Sequence, residues 1–184
     1  MSLLDQPPDP SATRGSLVTD LATSKAWWFL GMLVVLRNPP GAPRTPAAIE
    51  LTIPPGGSSP LHAHAELDDS FYMLDGDLVI RCGDEMLVAY AGDFVSLPHG
   101  VPYTFFVTSK KPVRLLLVHA IDSFLSLVEA AGTPTTDLRL PREDEFNADF
   151  DLIMQLCAEH NSPIMGPPLG EDAARAFLMR VSGE

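Results

Sequence analysis

Short apolar segments separated by turn residues dominate the first two thirds of the chain. Aromatic and β-branched residues predict a strand at 27–36, and a second strand is predicted at 48–53 after the proline-rich loop 38–46. Further short strands follow at close intervals, each bounded by Gly, Pro, Asp or Lys: 69–74, 78–82, 85–90, 93–97, 101–107 and 113–120. Strands this short and this closely spaced predict an all-β sandwich or barrel and argue against βαβ units.

The apolar period changes from two to 3.6 after the last predicted strand. Apolar residues recur at helical spacing in the stretches 124–131, 150–157 and 174–181. Asp122 or Ser123 is placed to cap the first helix, and Gly132 is placed to end it. Each apolar stripe is most simply the face that packs on the barrel.

The chain of 184 residues suits one domain with a sizeable core. Prolines at the beginning predict a mobile N-terminal arm at 1–16. The strands then form a barrel at 17–121, and the helices form a C-terminal extension at 122–184. No internal repeat is evident, which predicts a single barrel.

The net charge of −12 argues against binding of nucleic acid, because the chain has no basic stripe to contact phosphates. It also argues against an anionic membrane surface, and the apolar run 26–36 is too short to span a bilayer. Cys82 and Cys157 are too few for a disulfide framework and indicate buried thiols in a reducing compartment. No secretory signal is expected, so a cytoplasmic protein is predicted.

The richest candidate chemistry lies in the stretch 56–76, GGSSPLHAHAELDDSFYMLDG. His62 and His64 stand two residues apart in a segment predicted to be extended, where both imidazoles would share a face. Asp69 follows on the next strand, and two imidazoles with one carboxylate suit a divalent transition metal with open positions. The alternative is that both histidines are ordinary loop residues.

The spacing of this stretch resembles the first signature of the cupin superfamily. The residues that carry the resemblance are Gly56, His62, His64, Asp69 and Gly76. The stretch 92–103 resembles the second signature of the family, with Gly92, Pro98 and Gly100 at the positions where the family has them. The resemblance implies a jelly-roll (double-stranded β-helix) cupin barrel, in agreement with the strand pattern.

The resemblance also implies a metal site at His62, His64 and Asp69, where the carboxylate is usually a glutamate. The family's third histidine falls on Tyr103, whose phenol, with an ordinary pKa of about 10, is a poor ligand at neutral pH. The cofactor is therefore either a divalent transition metal (Ni, Co, Zn, Fe or Mn) or none. His99 and His119 are both predicted to stand outside the site, because a lone histidine is a weak signal.

A small-molecule pocket is predicted inside the barrel. By strand alternation Phe71 and Met73 share a face with Asp69, and Phe105 shares a face with Tyr103. We therefore predict a pocket lined by Tyr103, Phe71, Met73 and Phe105, with a small molecule as its ligand. The alternative is that these side chains simply fill the barrel.

Over a longer range, residues 27–169 more loosely resemble small single-barrel cupins of the quercetinase-like group. This resemblance implies a metal-dependent dioxygenase acting on an aromatic or polyketide-like substrate. Two alternatives remain open: a metal-free ligand-binding or regulatory cupin, and a cyclase or isomerase with Tyr103 and His62 as acid and base. No catalytic residue is assigned. A homodimer is predicted, because strand 27–36 would otherwise leave a large apolar face in water.

Overall fold

The computed structural model describes residues 19–40, 42, 46–120 and 123–183. The predicted arm at 1–16 and the predicted cap Asp122 lie outside the described residues. The first strands are β1 (Ala26–Phe29), β2 (Met32–Leu36), β3 (Ala47–Ile53), β4 (Leu61–His62), β5 (Asp69–Asp75) and β6 (Asp77–Cys82). The later ones are β7 (Glu85–Tyr90), β8 (Phe94–Leu97), β9 (Tyr103–Phe106), β10 (Val113–His119), β11 (Thr133–Thr135) and β12 (Ile164–Gly166). The helices are α1 (Ser123–Ala131), α2 (Phe150–Glu159) and α3 (Glu171–Ser182), with a short 3₁₀ turn at Glu143–Glu145.

Two antiparallel sheets enclose the core. The larger sheet has seven strands in the order β11-β1-β2-β3-β10-β5-β8, and the smaller has five in the order β12-β4-β9-β6-β7. Phe71 and Met73 of the first sheet pack in one cluster with Leu78 and Ile80 of the second. The all-β jelly-roll prediction is confirmed, and the helices follow the barrel as expected.

The predicted strand at 27–36 is in fact a hairpin of β1 and β2. Its turn is Leu30–Gly31, where both residues have positive φ (50° and 78°), the conformation that two-residue hairpin turns need. β1 pairs with β11 and β2 pairs with β3. Trp27 is only 6% exposed. The apolar face that motivated a homodimer is therefore covered within the chain, and the homodimer stays a prediction without that support.

The C-terminal helices pack on the barrel as predicted. Leu125 and Val128 of α1 join the main core together with Ile153 and Cys157 of α2. α3 packs separately, with Ala174 against the outer side of the smaller sheet. Cys82 and Cys157 are both free thiols; Cys157 is buried as expected, whereas Cys82 is only partly buried. Among the described residues, no helix combines the length and the apolar character needed to cross a bilayer.

Two short strands, β11 and β12, lie outside every predicted element. Each has three residues, too few for an apolar alternation to be visible in the sequence. They become strands because tertiary packing brings them beside the edge strands β1 and β4. β12 matters for the site, because it adds a C-terminal segment directly to the strand that carries His62.

Asp75–Gly76 is a strong hairpin-turn dipeptide, but β5 and β6 on either side of it lie in different sheets, so the hairpin that it predicts is not formed. The connection at Gly76 gives a first testable expectation. Gly76 has φ +81°, and an added Cβ would lie 2.8 Å from Cγ2 of the fully buried Val113. We expect Gly76→Ala to lower the free energy of unfolding by about 2–4 kcal/mol, as backbone strain and a steric clash add. Gly56→Ala is the matched control, because Gly56 has a similar φ of +73° with nothing within 4 Å of the added atom.

Urea denaturation of the two variants measures the difference. Gly56→Ala should show only the strain, about 1–2 kcal/mol. Equal losses in the two variants would mean that the packing of Val113 against the turn is unimportant.

Candidate metal centre

The two histidines of the first motif lie at the end of a very short strand. β4 stops at His62, so His64 lies beyond it, and the strand carries only one of the two motif histidines. His62 stands opposite Tyr103 on β9 and opposite Ile164 on β12. Its Nδ1 donates to the Pro60 carbonyl oxygen at 2.8 Å. The imidazole rings of His62 and His64 are nevertheless close, with centroids 5.3 Å apart.

Asp69 and Tyr103 meet beside His64 in the barrel interior. The Tyr103 hydroxyl donates to Asp69 Oδ2 and lies 3.5 Å from His64 Nε2. His64 Nε2 is 3.6 Å from the same carboxylate oxygen. Asp69 and Tyr103 are both buried, so this polar cluster is shielded from solvent. Tyr103 faces inward, next to the two histidines.

His119 also belongs to this cluster, although the sequence predicted that it would not. β10 runs antiparallel to β5 with Leu117 opposite Phe71, and two further residues bring His119 to Asp69. His119 Nε2 lies 3.4 Å from Asp69 Oδ1, and the residue is only 1% exposed. The exclusion of His119 is therefore wrong, because strand pairing carries it to the carboxylate.

One polar residue could have identified the inward face of β10. The strand is apolar at nearly every position, which hides its alternation, but Arg114 is exposed. Counting from Arg114 places residues 113, 115, 117 and 119 on the inner face. Alternation alone could thus have placed His119 inside, though not next to Asp69.

The ligand-type atoms of His64, Asp69 and His119 lie within 4.8 Å of one another, and His62 is not part of this group. The two histidine nitrogens stand 3.6 and 3.4 Å from carboxylate oxygens. Two ligands about 2.0–2.1 Å from a tetrahedral ion are separated by about 3.4 Å, and each of these two distances is close to that value. Asp69 Oδ1 is buried and has no hydrogen-bond donor among the described residues, which leaves it available as a ligand atom.

Burial sets the protonation states of His62, His64 and Tyr103. It lowers the pKa of His64 to about 4, against the opposing effect of the Asp69 carboxylate, and it also lowers the pKa of His62. Burial, followed by the charge of Asp69, raises the pKa of Tyr103 well above its usual value. At neutral pH both imidazoles are therefore neutral, the form that binds metal ions. The phenol keeps its proton, and its hydrogen bond competes with a metal ion for Asp69 Oδ2.

An apolar pocket of about 120 Å³ opens beside the cluster. Phe71, Tyr103 and Phe105 line it as predicted. Met73 does not: it is fully buried in the packed core and is not among the pocket residues within the described chain. The helical extension supplies further wall residues, including Phe124 of α1 and Ile153 of α2.

Those wall residues and Ser162 were not found from the sequence. Ser162 Oγ lies 2.7 Å from His64 Nδ1. No local pattern signals such a contact, because the two residues are 98 positions apart. His99, by contrast, lies on the surface, where its backbone NH and Nδ1 both contact Asp68 Oδ1.

Comparison with known proteins agrees with this architecture. A family model described as "Cupin domain" matches residues 49–119, which include His62, His64, Asp69, Tyr103 and His119. No curated protein matches the chain.

Several solved structures are similar in part. The polyketide cyclase RemF from Streptomyces resistomycificus is 22% identical, with a TM-score of 0.49 over 56% of this chain and 78% of that one. An RmlC-like cupin from Shewanella frigidimarina is 15% identical, with a TM-score of 0.49 over 60% of this chain and 96% of that one. A sugar phosphate isomerase from Silicibacter pomeroyi is 22% identical, with a TM-score of 0.44 over 48% of this chain. The chain spans only 58% of that isomerase.

The family match stands independently of these partial likenesses. It covers both signature stretches and includes all three residues of the buried cluster, His64, Asp69 and His119. Residues 49–119 therefore match a cupin domain.

Proposed function

We propose that this protein is a small-molecule-binding cupin that holds a divalent transition metal through His64, Asp69 and His119. The observation that carries the proposal is the convergence of three ligand-type side chains at the polar end of an apolar pocket. An apolar cavity with a few convergent polar groups is the usual form of a small-molecule site. Nickel, cobalt, zinc, iron and manganese are the candidate ions.

Aromatic side chains in the pocket wall favour an aromatic or polyketide-like ligand. Phe29, Phe71, Phe105 and Phe124 all line the cavity, and ring faces and edges pack well against another ring. The volume of about 120 Å³ is close to that of cavities of about 150 Å³ that bind benzene. We therefore infer that the pocket takes one ring of the ligand, with a hydroxyl or carbonyl oxygen towards the histidines.

A metal-dependent dioxygenase of the quercetinase-like kind is the finer form of this proposal. When bound, a divalent ion would supply Lewis acidity towards an oxygen atom of the ligand. The apolar walls of the pocket would orient the aromatic ring of the ligand. Tyr103 would stay protonated and donate its hydrogen bond to Asp69. Oxygen uptake with a flavonol under air tests this form. A metal-loaded protein that binds the flavonol without oxygen uptake would contradict it.

A metal-free ligand-binding or regulatory cupin is the second candidate, and one contact favours it. The Tyr103 hydroxyl donates to Asp69 Oδ2, which satisfies half of the buried carboxylate without any metal. The pocket and its polar end would then serve to bind a ligand through hydrogen bonds alone.

Thermal unfolding with added metal separates the two candidates. An ion at about 100 times its dissociation constant should stabilise the metal-binding protein by about 2.7 kcal/mol, because it binds only the folded state. We expect at least one of nickel, cobalt, zinc and iron(II) to raise the melting temperature.

Asp69→Asn is the control, because the amide keeps the shape of the carboxylate and removes its charge. The variant should lose the metal-dependent rise. A melting temperature that none of the four ions changes in the unmodified protein would favour the metal-free cupin.

A further inference from the structure

The segment that follows α2 reaches back to the histidine motif from outside the cupin domain. The Ala65 backbone NH donates to the Asn161 carbonyl oxygen at 3.0 Å. Three residues further on, Ile164 of β12 pairs with His62 of β4. His64 therefore lies between two backbone contacts of one C-terminal segment, although residues 161–164 lie beyond the family match at 49–119.

The end of α2 determines where Ser162 lies. Asn161 has φ +55°, a left-handed conformation that asparagine tolerates better than most residues. The Ser162 backbone NH donates to the Cys157 carbonyl oxygen at 2.9 Å, which closes the helix end. Ser162 is only 8% exposed. The helix-ending hydrogen bond fixes the backbone of Ser162, and burial restricts its side chain, so the position of the hydroxyl is well defined.

The hydroxyl of Ser162 contacts the nitrogen of His64 that faces away from Asp69. Ser162 Oγ is 2.7 Å from His64 Nδ1, whereas His64 Nε2 is the atom near Asp69, at 3.6 Å from Oδ2. A neutral imidazole that binds a metal ion through Nε2 carries its proton on Nδ1, and that proton needs an acceptor when the ring is buried. A hydroxyl oxygen can accept it.

We propose that Ser162 is a positioning residue for the metal centre: it accepts the Nδ1 proton of His64 and directs Nε2 towards the ion. The inference rests on the proposed function, since it concerns a ligand of the proposed metal. It assigns part of the centre to the C-terminal extension. The barrel alone would then hold the His64 ring less well than the whole chain does.

Three variants of the full chain test the role of Ser162. Ser162→Ala removes the acceptor and leaves a buried N–H unsatisfied, so zinc affinity in calorimetry should fall by about 10–100-fold, as for other outer-shell partners. Ser162→Thr keeps the hydroxyl and should restore affinity to within about threefold of the original. Ser96→Ala changes an exposed serine on β8 and should leave zinc affinity unchanged.

Nitrogen-15 NMR of the histidine rings provides a readout that a merely structural role would not change. In the zinc-loaded protein His64 should be protonated at Nδ1. In the metal-free protein Ser162→Ala should shift the Nδ1 resonance of His64, because a short hydrogen bond is lost, and Ser162→Thr should not.

The outcomes separate the two proposals. If the unmodified protein binds zinc and Ser162→Ala binds it equally well, the positioning role is overturned while the metal centre stands. If the unmodified protein binds none of the candidate ions, the metal centre itself fails. An Nδ1 resonance that Ser162→Ala leaves unchanged in the metal-free protein overturns the hydrogen bond, and with it the role of Ser162.

Discussion

Replacing His119 by glutamine is expected to weaken binding of a divalent ion by about 100-fold or more. His119 Nε2 is 3.4 Å from Asp69 Oδ1, at the spacing of two ligands on one ion. Loss of an outer-shell partner already costs about 10–100-fold in affinity, so loss of a ligand should cost at least as much. Calorimetry with zinc or nickel measures the change, and circular dichroism checks that the variant keeps the fold.

Two further histidine variants make this experiment decisive. His62→Gln changes the neighbouring motif histidine, which is outside the group of ligand-type atoms that lie within 4.8 Å of one another, and should cost less than about tenfold in affinity. His99→Gln changes an exposed residue and should have no effect. If His62→Gln weakens binding more than His119→Gln does, the ligands are His62, His64 and Asp69, as the family resemblance implies. The set that the structure favours would then be wrong.

Replacing Tyr103 by histidine is expected to raise metal affinity by about tenfold or more. The phenol lies beside Asp69 Oδ2 and His64 Nε2, so an imidazole at this position would reach the same cluster. Burial raises the pKa of the Tyr103 phenol, whereas a neutral imidazole needs no deprotonation to act as a ligand. The substitution also removes the hydroxyl that competes for the carboxylate.

Tyr103→Phe separates these two contributions. It removes the competing hydroxyl without adding a ligand, so its affinity should lie between those of the original protein and Tyr103→His. Both variants should lose stability, because Tyr103→Phe leaves Asp69 Oδ2 without its buried donor and Tyr103→His places a smaller ring in the core. Calorimetry with nickel on the three proteins gives the order. If Tyr103→His folds normally yet binds no more tightly than the original, the inferred geometry of the cluster is wrong.

The local features of this fold could be predicted because they depend on neighbouring residues. Apolar alternation located most of the strands of the barrel, and turn residues marked where they end. The motif spacing identified the cupin barrel, and it found two members of the cluster, His64 and Asp69. Turn chemistry and side-chain alternation act within a few residues, so a sequence displays them directly.

Long-range contacts could not be predicted in the same way. The hairpin at 27–36 was missed because continuous apolar residues hide its turn, and its partner β11 is about 100 positions away. His119 joins the cluster only through the register between β10 and β5, which strand alternation does not specify. Met73 was predicted to line the pocket because it lies on the same strand face as Asp69. Its position further along the strand places it in the packed core instead.

The division between sequence and tertiary structure is therefore clear at the site. The chain's local pattern determined the barrel, the polar motif and an inward-facing tyrosine where a third histidine is usual. Only the tertiary structure decided that the carboxylate lies between His64 and His119, that α1 and α2 close the pocket, and that Ser162 contacts His64. The contacts of Asp69 with His119 and of Ser162 with His64 join residues 50 and 98 positions apart, which are brought together by burial of apolar faces and by strand pairing that no short stretch of sequence encodes.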